Sequence, residues 1–146
     1  MKGVAFLATM LLAFAAQAAG NAVSVTHAWV RWLPGDLPAG GYATIENRGG
    51  SAIRLLGADS SDYAMVMLHR SVEQNGVERM LAVDGMDVPA HGSAALAPGG
   101  YHLMLMQARH AIAPGASVHM RLHFSDGSTI AVDFIARSPA ADASGG

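Results

Sequence analysis

The chain contains no cysteine, and that absence alone closes off several chemistries. There can be no disulfide framework, no thiolate for a blue-copper electron-transfer centre, and no cysteine thiol on which a lipid-modified N-terminus could be built. Basic residues are scarce as well. Nine Lys and Arg stand against eleven Asp and Glu, the formal charge is −2, and no basic run occurs that could follow a phosphate backbone. Nucleic acid is excluded as a partner on that ground. Helical periodicity is never sustained beyond a turn or two, and after the first twenty residues no apolar run approaches the roughly 20 residues of a membrane-spanning helix.

What is present begins with MKGVAFLATMLLAFAAQAAG. Lys2, an uncharged apolar stretch over 4–16 and small residues around Ala16-Gln17-Ala18 make the pattern of a secretory signal peptide, cleaved near Ala18 or Ala19. Three regions are expected: a leader over 1–19, one domain over 20–137, and a small, polar, disordered tail over 138–146. A chain of 146 residues is long enough to bury a core without staples. The exported domain is expected in the periplasm, as a monomer, with no stable membrane span once the leader is gone.

Beyond the leader, short β-branched or aromatic runs alternate with turn residues, which predicts strands over 23–31, 41–47, 52–58, 63–72, 77–83, 93–96, 100–107, 117–124 and 129–136. Asn75-Gly76, Pro98-Gly99-Gly100 and Asp126-Gly127 supply the turn geometry between them. Many short strands joined by short turns predict an all-β fold, a two-sheet sandwich or Greek-key barrel.

Methionine is over-represented, at nine residues. In PGGYHLMLM, over 98–106, strand alternation puts Tyr101, Leu103 and Leu105 on one face and His102, Met104 and Met106 on the other. Two residues along a strand are about 6.7 Å apart, so His102 and Met104 can converge on one ion. The Asn75-Gly76 hairpin carries His69 on one arm and Met80 on the other. Two imidazoles and two thioethers, from His69, Met80, His102 and Met104, can therefore meet if the later strand lies beside the hairpin. Thioether sulfur is soft and neutral, which favours Cu(I) over zinc, magnesium or calcium. The competing reading is that methionine fills gaps in a core, and Met65, Met67, Met86, Met106 and Met120 are assigned to packing. His119 and His123 lie four residues apart, about 13 Å along a strand, too far to share an ion, and are expected at the solvated surface. His27, His91 and His110 have no partner identifiable from sequence.

The order His69, ten residues, Met80, twenty-one residues, His102, one residue, Met104 reproduces the HX10MX21HXM signature. Together with Asn75-Gly76-Val77, Val88-Pro89-Ala90 and Phe124-Ser125-Asp126-Gly127, it makes nearly the whole exported domain resemble the PCuAC family of periplasmic copper chaperones. The resemblance implies a cupredoxin-like β-barrel holding one Cu(I) per chain in a shallow site, with His69, Met80, His102 and Met104 as ligands. It also implies delivery to the Cu(A) subunit of cytochrome c oxidase, beside a thioredoxin-like copper protein. Met65 and Met67, where the family often has a polar residue, could be auxiliary donors, with packing the favoured role. The tail has neither His nor Met, so no second site is expected there. The function expected is carriage rather than catalysis, since no substrate bond need change. Copper storage for resistance, and a metal-free β-sandwich interaction module, are the alternatives.

Overall fold

The structure is a computed structural model that describes residues 22–139. The leader read over 1–19 and nearly all of the tail read over 138–146 lie outside the described residues. Its regular elements are all strands: β1 Val23–Arg31, β2 Ala39–Asn47, β3 Ile53–Ser60, β4 Tyr63–Gln74, β5 Val77–Ala82, β6 Met86–Val88, β7 Gly92–Leu96, β8 Tyr101–Ala108, β9 Ser117–Phe124 and β10 Thr129–Arg137. The all-β expectation holds, and the bounds of β1 and β9 coincide with those read from sequence. β6 has no counterpart in that reading. Three residues between Gly85 and Pro89 are too few for any alternation to register. No helix among the described residues is long and apolar enough to cross a membrane.

Hydrogen bonding runs along one path, β5-β4-β8-β2-β1-β10-β9-β3-β6, with β7 also paired to β2. The path can double over because β2 changes partner along its length. Ala39, Gly40 and Gly41 pair with Leu105, Met104 and Leu103 of β8, whereas residues 43–47 pair with β7. Enclosed between the folded layers are Val30, Ile45, Leu55, Val88, Leu103, Leu105, Val118, Leu122 and Phe134, all without solvent contact. On β9 the alternation is complete: Val118, Met120, Leu122 and Phe124 face inward, while His119 and Arg121 face outward.

Two local features position β4, β5 and β8. At the tip of the β4–β5 hairpin, Asn75 and Gly76 both have positive φ, 53° and 77°. That is the two-residue turn whose twist matches paired strands. It sets the register from Gln74↔Val77 back to His69↔Ala82. On the other side of β8, Gly41 lets β2 approach closely. A Cβ there would stand 3.1 Å from Leu105 Cδ1 and 3.2 Å from the Leu103 Cβ, so a larger side chain must push β2 from β8. Gly41→Val is expected to cost about 1–3 kcal/mol by overpacking. The check is the denaturant midpoint, and an unchanged midpoint would show that the contact has room to spare.

Candidate metal centre

The strand faces follow from burial. On β8, Leu103 and Leu105 are fully buried, so His102, Met104 and Met106 project to the other side, as the alternation requires. On β4, where both faces are apolar in sequence, Leu68 takes the inward position at 4% exposure. Met65, Met67 and His69 therefore share the opposite face.

β4 and β8 pair antiparallel, with His69 opposite His102, Met67 opposite Met104, and Met65 opposite Met106. Directly opposed residues of an antiparallel pair project to the same side. The two imidazoles meet edge to face, with ring centroids 5.8 Å apart. On the outer flank of β4, β5 sets Ala82 opposite His69 and Met80 opposite Ser71. All four residues expected as ligands thus lie on one face of three adjacent strands. They are not equivalent within it. Met104 follows the histidine pair in one direction, whereas Met80 lies a strand further out in the other, about 6.7 Å along from the histidine row. Met80 is 56% exposed, and its side chain has the longest distance to cover.

Met67 occupies the place nearest the histidine pair on β4, facing Met104, although the sequence pattern assigns it to packing. The structure corrects that assignment for Met65 and Met67, which are 44% and 37% exposed, and puts half-buried Met106 on the same donor face. Met86 and Met120 are in the core, as expected. The alternation Met65, Met67, His69 is visible in sequence, but nothing there says which strand lies beside it.

The imidazole environment is unusual. His102 is 3% exposed, and its Nδ1–H donates to the Gly100 carbonyl at 3.1 Å. That bond fixes the tautomer and leaves a lone pair on Nε2. Nε2 is buried without a partner, as are both ring nitrogens of His69. A buried polar atom without a partner costs about 1–3 kcal/mol, so these nitrogens call for an occupant. Among the described residues, no group of three or more His, Cys, Asp and Glu comes together that could hold an ion. The next paired row on the same face, Met67 and Met104, offers thioethers as further donors for an ion that completes these rings. The Tyr42 ring lies over Gly40, the residue opposite Met104 on β2.

The remaining histidines behave differently. His110 Nε2 pairs with Asp62 at 2.7 Å, His119 Nδ1 pairs with Asp133 at 2.7 Å, and His123 pairs with Asp59. His119 and His123 are on the outer side of β9 as expected, but as carboxylate partners rather than merely solvated groups. The Asp62 bond raises the His110 pKa, and the Asp133 bond raises that of His119. Burial pushes Asp62 upward, but the His119 backbone N–H and the His110 ring outweigh it and hold the carboxyl below its usual value. His69 has no acid beside it. Burial, and secondarily His102, push its pKa below the ordinary 6.5, keeping the ring neutral and its lone pair available.

A family model described as "Putative lipoprotein LpqE-like" matches residues 23–136. The curated protein "Putative lipoprotein Lxx21020" of Leifsonia xyli subsp. xyli is 36% identical over 110 residues. That match covers 75% of this chain and 66% of the relative, just under two thirds of its length. Among solved structures, the solution structure of CuI-DR1885 from Deinococcus radiodurans is 28% identical with a TM-score of 0.61, covering 75% of this chain and 74% of that one. The apo-DR1885 solution structure is 27% identical with a TM-score of 0.62, covering 94% and 92%. A copper-bound PCuAC domain from PmoF2 has a TM-score of 0.67 at 24% identity, covering 81% and 94%. At that identity the likeness concerns the fold alone. The expected cupredoxin-like β fold is therefore the fold of this chain.

The shift at His69 has a direct readout. In the metal-free protein, the His69 ring should titrate with a midpoint below 6.5 in an NMR pH series. A midpoint at or above that value would mean that water or an acid reaches the ring.

Proposed function

The chain belongs to the LpqE-like family, and from that premise we propose that it is an exported Cu(I) carrier, with His69, Met80, His102 and Met104 as the ligands of one tightly held ion. The observation that carries this reading is the opposed His69–His102 pair, whose three unpartnered buried nitrogens lie on a thioether-bearing face. The names of the solved relatives, one a Cu(I) form and one a copper-bound domain, support it.

The chemistry suits carriage. Imidazole and thioether are both neutral, so the site holds a monovalent soft cation without an anionic ligand that would favour Zn(II) or Ca(II). Such a set releases the ion by stepwise exchange, because an incoming thiolate can bind before the outgoing thioether leaves. Met80, exposed on the edge hairpin, is the ligand that departs first. Copper is the cargo and no substrate bond changes, so the protein is not an enzyme. The acceptor is the Cu(A) subunit of cytochrome c oxidase, with a thioredoxin-like copper protein acting alongside. The sequence pattern of 1–19 supports export to the periplasm. The family's description is of lipoproteins, yet none of these 146 residues is a cysteine that could carry a thioether-linked lipid.

Anaerobic titration against a Cu(I)-specific competitor, with His102→Ala and Met104→Leu measured beside the parent, tests the assignment. The parent should hold one tight equivalent. His102→Ala should weaken it more than about a hundredfold, since even groups behind a metal's direct ligands are worth 10–100-fold. Met104→Leu should weaken it less, and thermal melts should show both variants folded. Folded variants that keep the parent affinity would refute the ligand set.

A further inference from the structure

The donor face does not end at Met104. Along the β4–β8 pair the opposed residues run His69–His102, Met67–Met104 and Met65–Met106, all on one side of the sheet. The last two rows make a square of thioethers. Opposed Cβ atoms are about 4.5–5.5 Å apart, and neighbours along each strand are about 6.7 Å apart, so long unbranched side chains can converge above the centre.

Core packing does not account for Met65 and Met67, and it encloses Met104 and Met106 only in part. The inward face of the same two strands is filled by Leu68, Leu103 and Leu105. Met65 and Met67 stand 44% and 37% exposed, where polar side chains are the usual occupants. No Asp, Glu, Lys or Arg occupies this face in the three paired rows. What is concentrated there is neutral sulfur, a donor for soft monovalent metal and for little else.

We infer that Met65, Met67, Met104 and Met106 form a second Cu(I) seat, adjoining the histidine-bearing one and sharing Met104 with it. The inference rests on the carrier reading and extends it from a single site to a short track. The outer seat has no imidazole and binds more weakly. An ion moves between the seats by exchanging one ligand at a time, with Met104 bound throughout and Met67 able to reach either side. Copper stays Cu(I), the thioethers stay neutral, and no proton or electron changes hands. Met65, the most exposed of the four, marks the outer end of this track, and His102, at 3% exposure, is its most enclosed donor.

The test compares the full chain with its Met65→Leu/Met106→Leu double variant in anaerobic competitive titrations with Cu(I) alone. Leucine nearly conserves volume and apolar character. Both positions lie about 13 Å along the strands from the histidine row, so the tight equivalent should be untouched. The parent should bind one tight and one weaker equivalent, and the double variant should keep the first unchanged and weaken the second about tenfold or more. Identical stoichiometry and affinities in the two proteins would overturn the outer seat. So would a parent that binds one equivalent only, abolished by His102→Ala, although the carrier reading would then stand. A parent that binds no Cu(I) would overturn both.

Discussion

The proposed carriage depends on one cross-strand pair, His69 opposite His102, held in the sheet with three ring nitrogens that nothing in the protein satisfies. A folded chain ordinarily removes such atoms or gives them partners, because each costs about 1–3 kcal/mol. The outer histidines do have partners: His110, His119 and His123 each have a carboxylate. The contrast extends to protonation where a shift is marked: Asp62 and Asp133 raise the pKa of His110 and His119, whereas burial lowers that of His69. An acid beside an imidazole favours the charged ring, which cannot coordinate, whereas burial without an acid favours the neutral ring, which can. Under the proposed function, the histidine pair forgoes stability in the metal-free state in exchange for a site matched to a soft cation.

The scaffold makes that pair possible through register. One tight turn at Asn75-Gly76 fixes how β5 lies on β4. Close approach at Gly41 fixes how β2 lies on β8, with Leu103 and Leu105 locked into the core. Because alternation along a strand is strict, burying those leucines forces His102 and Met104 to the other side. A slip of one residue would send imidazole and thioether into the core. Fold and site are therefore set by the same hydrophobic contacts, and the donor face is the reverse of the core face.

Much of this is legible in the residues. The turns, nearly all strands and the donor face of β8 follow from alternation in PGGYHLMLM and from Gly, Asn and Pro placement. The HX10MX21HXM spacing singles out four residues that the fold sets on one face. Strand pairing is not legible. Because β4 is apolar on both faces in sequence, Met65 and Met67 look like core, and only the pairing with β8 sets them beside Met104 and Met106. Carboxylate partners of the outer histidines are hidden for the same reason: Asp62 and His110 are 48 residues apart, and Asp59 and His123 are 64 apart. β6 escapes because three residues carry no period.

The most direct measurement is X-ray absorption at the copper edge on the full chain loaded with one equivalent of Cu(I). A first shell containing both imidazole nitrogen and thioether sulfur, with the outer-ring scattering characteristic of histidine, is the expected result. A shell of sulfur alone, or of oxygen and nitrogen without sulfur, would contradict the claim that His69 and His102 meet thioethers around a single ion.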